Sequence, residues 1–248
     1  MIADVAGHGR DVASLAVRLR GILRRHVNYV DQSRVMQQMN REFLAEQKQQ
    51  AGLSRFATAI VGTFWGPTSE LDLTNAGHPP PLLYRAATQV WELVEAKSDE
   101  AESNVPLGIL ESGTYTRQQL RLAQGDVLVL YTDALMEATS KTGTTLGTRG
   151  LLALAQDMEI ADAGRLTSML MGRVRAFAGS ELDDDATIMA LTRNSVPAAA
   201  GSLASGLATT ARLAKEFAAS LVGATGFAWP QARVDNVLGA YFERFNRR

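Results

Sequence analysis

A chain of 248 residues with 46% apolar content can bury a sizeable core, as one large domain with an appendage or as two small ones. Its formal net charge of −1 gives no electrostatic case for nucleic acid or for an anionic membrane surface. The absence of cysteine excludes disulfides, thiolate metal sites and a cysteine nucleophile, and is compatible with a cytoplasmic protein.

No stretch approaches the roughly 18 apolar residues of a membrane-spanning helix. The N-terminus lacks the basic start of a signal peptide and reaches Asp4 almost at once. Met1–Val5 reads as the tail of a buried strand that runs into the glycine turn "AGHGRD". A strand opening the chain with no partner before it points to strands of the fold lying upstream. Apolar residues at 12, 15, 16, 19, 22 and 23 then predict an amphipathic helix. A second helix starts near Asp31 as N-cap and buries Val35, Met36, Met39, Phe43 and Leu44.

The character changes at "RFATAIVGTFW", a β-branched and aromatic strand closed by a Gly66-Pro67 turn, with "ELDLTNAG" as its hairpin partner. "PPLLYR", "QVWELV" and "YTRQQLRL" follow as short strands, with an acidic loop over 97–104. "DVLVLYTD" is a continuous apolar run, as expected of a central strand covered on both faces. Helices over 149–157 and 163–178 precede a last strand, "ATIMALT". Segregated blocks of strands and helices predict an α+β architecture rather than a doubly wound βαβ sheet. From 195 the chain turns Ala/Ser/Gly-rich, a linker, before two amphipathic helices around Leu213–Leu221 and Val234–Phe245.

Carboxylates stand at three strand ends: Asp4, Asp133 in "YTDAL", and Asp184 with Asp185 in "DDDAT". Hard oxygen donors without cysteine or a paired-histidine motif suit Mg²⁺ or Mn²⁺ better than Zn²⁺. Each has a bland alternative. A single Asp after a strand also serves as a turn or helix cap, and three in a row also make a solvated turn. "AGHG" is a glycine turn able to hold any anion. His8 and His78 read as structural hydrogen-bonders, and His26 as a surface residue. Asn75, Gly77 and His78 read as a tight strand-to-strand turn stiffened by Pro79–Pro81, and Gly108 as backbone geometry.

Taken in order, "IADVAGHGRDVASL", "FATAIVGTF", "LDLTNAGHPPPLLYR", "PLGIL", "GDVLVLYTDALMEA" and "DDATIMAL" resemble the successive motifs of PPM-type phosphatases of the SpoIIE/RsbU branch. The resemblance covers roughly residues 1–194. It implies a four-layer α-β-β-α sandwich of two antiparallel sheets with flanking helices, its first strands missing here. It also implies a binuclear Mn²⁺ or Mg²⁺ centre. On this resemblance Asp4 is the bridging carboxylate, the Val5 carbonyl a ligand of the second ion, and Asp133 and Asp184 ligands of the first. Asp185 is an adjacent position. The implied reaction is hydrolysis of phosphoserine or phosphothreonine without a phosphoenzyme. The implied partner is a phosphorylated regulatory protein, a STAS-type anti-sigma-factor antagonist, with room for an upstream sensor domain or a dimer partner.

The pattern departs in two places. Ala134 stands where the family usually has glycine, and nothing corresponds to an earlier "GGDYYD"-like hairpin whose aspartate supports the second metal. The tail, "ARLAKEFAASL" with "RVDNVLGAYFERFN", faintly resembles the opening helices of an anti-sigma-type kinase. Its Glu243–Asn246 spacing is one short of that motif, so packing helices are the better expectation. An impaired phosphatase-like binding module is the competing function, and an unrelated Zn²⁺ hydrolase using His8 and His78 a remote third.

Overall fold

The computed structural model describes residues 1–193, except 8–9, 27–30, 49–54, 66–67, 96–103 and 159–162. The glycine turn around His8, the Gly66-Pro67 turn, nearly all of the acidic loop and the tail from 194 lie outside the described residues.

Strand β1 (Ile2–Val5) leads to helices α1 (Arg10–His26) and α2 (Gln32–Lys48), then β2 (Ala57–Trp65), β3 (Glu70–Ala76), β4 (Leu82–Arg85), β5 (Val90–Leu93), β6 (Arg117–Arg121) and β7 (Val127–Tyr131). Helices α3 (Ala134–Glu137), α4 (Gly147–Gln156) and α5 (Leu166–Ala178) precede β8 (Ile188–Thr192). The strands form two antiparallel four-stranded sheets, ordered β1-β2-β3-β6 and β5-β4-β7-β8. The partner of β1 is thus β2, reached across two helices, with Asp4 opposite Thr58 and Val5 opposite Ala57.

Three apolar layers hold the sandwich. Leu15, Leu19 and Ile22 of α1 and Val35, Met36, Met39 and Phe43 of α2 pack with Ala57, Ala59 and Val61 of the first sheet. Ile2, Ile60, Leu71 and Leu73 meet Leu83, Leu128 and Leu130 between the sheets. Val127, Val129 and Tyr131 face Leu151, Leu166, Leu170 and Val174 on the far side. Alternate residues of β7 therefore serve two different cores, which is why the whole strand is apolar and all five residues are buried. Each such side chain contributes about 1.5–3 kcal/mol of burial.

Asp31 does begin α2: its Oδ1 accepts from the Ser33 backbone N–H at 2.9 Å. Three finer expectations are corrected. Leu44 is half-buried and Ala16 exposed, because the buried row of each helix is narrower than its apolar stripe. His26 is not a surface residue. Its Nε2 stands 2.6 Å from Glu42 Oε1, and Arg25 Nε donates to Glu42 Oε2 at 3.0 Å, tying α1 to α2.

Candidate active site

The sheet ends that carry the candidate carboxylates lie together. Asp4 stands in β1 of one sheet, and Asp133 follows β7 of the other. Their carboxyls come within hydrogen-bonding reach when one of them carries a proton. Burial, then the charge of Asp133, push the Asp4 carboxyl up to about 6 from its ordinary 3.8. The hydrogen bond with Asp133 and the charge of Asp184 push the same way, and a hydrogen bond with the Val5 backbone opposes them. Two residues from different sheets, about 130 positions apart in sequence, thus hold like charges against each other. Like charges so placed call for a cation or a proton between them.

Among the described residues Asp133 has no hydrogen-bonding duty elsewhere in its own turn. It sits at the N-cap position of α3, yet its side chain makes no capping bond there. The capping alternative therefore fails for it. The methyl of Ala134 is harmless, since Ala134 is the first residue of α3 and is not among the positive-φ residues. The side chain of Val5 is spent in the core under α1 and α2, which leaves only its backbone carbonyl as a donor.

Asp184 is more loosely held. It is exposed, and its Oδ1 accepts from the Asp185 backbone N–H at 2.7 Å, so one oxygen serves its own turn. Its loop is tied to β7 through Thr132. Thr132 Oγ1 accepts from Thr187 N–H at 2.9 Å and donates toward the Asp185 carbonyl at 3.4 Å, while Thr132 N–H donates to the Thr187 carbonyl at 3.1 Å. Among the described residues no three acidic or imidazole side chains stand close enough to make a complete ligand set. Asp184 acts on Asp4 through its charge, from outside the Asp4–Asp133 contact. In kind the donors fit a hard divalent cation, and Asp4 and Asp133 fit in place as well. Asp184, exposed, stands outside that pair.

His78 lies beneath this end of the sandwich. It is buried, and its Nδ1 is 2.8 Å from Oγ1 of Thr58, the residue opposite Asp4. Burial pushes its imidazole down to about 4, against the charge of Asp133 and the backbone of Tyr131. It is therefore a neutral neighbour of the carboxylates. The turn before it is clasped by Asn75, whose Oδ1 accepts from His78 N–H at 2.7 Å and whose Nδ2 donates to the His78 carbonyl at 2.8 Å. Gly77 in that turn has φ +64, and a Cβ there would stand 2.5 Å from Pro106, which accounts for glycine. Sequence reasoning overlooked Thr58 and Thr132. Both are threonines one place from a buried apolar residue at the carboxylate end of a strand.

A family model described as Stage II sporulation protein E (SpoIIE) matches residues 1–194. The chain belongs to the SpoIIE family. Among curated relatives, it is 26% identical over 141 residues to phosphoserine phosphatase RsbP of Bacillus subtilis, matching 56% of this chain and 33% of RsbP. A solved structure of the RsbU and RsbW domains of Rv1364c from Mycobacterium tuberculosis matches with TM-score 0.61 at 27% identity, covering 77% of this chain and 50% of that one. The SiaA-PP2C domain of Pseudomonas aeruginosa matches with TM-score 0.63 at 16% identity over 77% of this chain and 73% of that one. These likenesses agree with the two-sheet sandwich and its flanking helices. The chain spans a third of the length of RsbP and half that of the Mycobacterium chain. Among the described residues no helix is long and apolar enough to cross a membrane.

Proposed function

We propose that this chain is the phosphatase part of a bacterial signalling protein, hydrolysing phosphoserine or phosphothreonine on a regulatory protein of the STAS anti-sigma-factor-antagonist type. The observation that carries this reading is the meeting of Asp4 and Asp133, one from each sheet, with Asp184 within electrostatic reach. Asp4, the Val5 carbonyl, Asp133 and Asp184 would hold Mn²⁺ or Mg²⁺. When bound, such ions supply Lewis-acid charge neutralisation and a water of lowered pKa. The chain's own residues hold the carboxylates in place. Thr58 and His78 brace the floor beneath Asp4, Thr132 keeps the Asp184 loop against β7, and Asp133 is left free of capping duty. Residues 1–194 would form this domain, and 195–248 a linker with two amphipathic helices. A cytoplasmic location accords with the reading.

The test is Mn²⁺-dependent release of phosphate from an aryl phosphate and from a phosphorylated STAS protein, lost in Asp4→Asn and Asp184→Asn. Equal activity of both variants and the parent would sink the metal assignment. The placing of Asp184 outside the Asp4–Asp133 contact favours a second reading, a phosphatase-like binding module with an incomplete centre. Calorimetry separates the two: the enzyme binds two Mn²⁺ per chain, the module one or none.

A further inference from the structure

Arg55 precedes β2 at the same end of the first sheet, two residues before Ala57, the partner of Val5. Its Nη1 donates to the Ala6 carbonyl at 3.1 Å, two residues after Asp4, and the Phe56 carbonyl accepts from the Ala6 N–H at 3.0 Å. The guanidinium lies against Gly7, where a Cβ would run into Nη1. Gly7 has φ +106, so the position favours glycine on both counts. The Arg55 backbone is itself fixed. Its N–H donates to Gln47 Oε1 of α2 at 2.8 Å, and its carbonyl abuts Gly108, where a Cβ would stand 2.8 Å away.

What is unusual is the charge. Arg25, Arg34, Arg85, Arg117 and Arg175 each face a carboxylate within 4 Å. Arg55 faces none among the described residues, although the carbonyl it bonds, Ala6, is only two residues from Asp4. One of its five N–H donors is taken by Ala6 and the side chain is half-exposed. An unpaired, braced guanidinium at the rim of an anionic site is suited to an anion brought there. A phosphoryl group is the fitting one, since the fork of N–H donors matches two of its oxygens. A phosphate dianion approaching three carboxylates meets repulsion, and a fixed cation beside them offsets it.

We propose that Arg55 is the anchor for the substrate's phosphoryl oxygens, binding them through the guanidinium donors not used on Ala6. This deepens the phosphatase reading and rests on it for the identity of the substrate. The competing role is a brace for the Ala6–Gly7 turn alone.

Calorimetric titration of the full chain with inorganic phosphate, in saturating Mn²⁺, separates these roles. Arg55→Gln should weaken phosphate binding about tenfold or more, with Arg55→Lys in between, the cost of losing a charge-assisted pair. Mn²⁺ affinity should stay within twofold and Tm within about 2 °C of the parent. With an aryl phosphate as substrate, KM should rise more than kcat falls. Phosphate affinity in Arg55→Gln equal to the parent's overturns the anchor. So does a parallel loss of Mn²⁺ affinity and Tm, which marks a turn brace, and so does a parent that binds Mn²⁺ but no phosphate. Failure of the parent to bind Mn²⁺ is a separate result against the metal reading. The phosphate titration is then made without metal, and equal or absent binding in parent and variant overturns the anchor.

Discussion

Strand β7 carries an aspartate at each end, and the two live in opposite surroundings. Asp126, just before the strand, is 1% exposed and fully engaged. Its carboxylate accepts from Ala86 N–H at 3.0 Å, Ala123 N–H at 2.9 Å and Arg85 Nη1 at 3.1 Å. Asp133, just after the strand, is given no cap to serve and faces Asp4. The same residue type, seven positions apart on one apolar run, is satisfied at one end and set against like charge at the other. A carboxylate ringed by donors stabilises the fold. A carboxylate held against another calls for a cation or a proton between them.

The sharpest way to break this contrast is to remove one aspartate from each kind of site. Asp4→Asn should reduce phosphate release by about 10²–10³-fold, the scale of losing a principal electrostatic contact in the transition state. It should leave the Tm of the metal-free protein unchanged or higher, because it removes repulsion. Asp126→Ala should do the reverse. Two buried N–H groups and a guanidinium lose their acceptor, costing about 3 kcal/mol in a denaturant titration, while kcat per folded molecule holds. Loss of Tm in the first variant, or of kcat in the second, would collapse the distinction.

A pH experiment sharpens it further. In the metal-free protein the fold raises Asp4 from 3.8 to about 6. The folded state then holds more protons than the unfolded chain across that window, so this group alone makes stability fall as pH rises from 4 to 6. His78 is lowered from 6.5 to about 4. The folded state then holds fewer protons, and this group alone makes stability rise over nearly the same window. The two slopes oppose each other, so the chelated parent should show a shallow profile between pH 4 and 6.5. Asp4→Asn should unmask a rise with pH and His78→Gln a fall, read as Tm against pH. A common slope in all three proteins would show that neither group is perturbed.

The smallest expected effect is at Thr132. Thr132→Val keeps the volume but loses the bond accepted from Thr187 N–H, costing about 1 kcal/mol. Mn²⁺ affinity should fall several-fold as the Asp184 loop loosens. Unchanged affinity would mean that Asp184 is placed by its own turn.

Much of the fold was legible because its signals are local. The apolar run of β7 follows from burial on both faces, and the β2–β3 hairpin shows as a β-branched, aromatic stretch and an alternating one flanking a Gly-Pro pair. The buried rows of α1 and α2 were only half legible, since periodicity marks an apolar face but not which residues meet a neighbour. At the site the sequence supplied residue types and order, and resemblance supplied roles. It could not tell Asp126 from Asp133 by chemistry, because both flank the same strand and only tertiary partners differ. Nor could it find Thr58, Thr132 or Arg55, whose contacts join segments many residues apart.

Asp4, Asp133 and Asp184 also enter the world at different times. On a ribosome adding about 5–20 residues per second, Asp184 follows Asp133 by roughly 3–10 s, and Asp4 precedes both by longer still. Both sheets must therefore dock, and the segment holding Asp184 must emerge, before the three carboxylates can act together. On the phosphatase reading proposed above, a nascent chain caught earlier carries Asp4 beside its β2 partner without Asp133 or Asp184, and would stay silent until synthesis has passed Thr187.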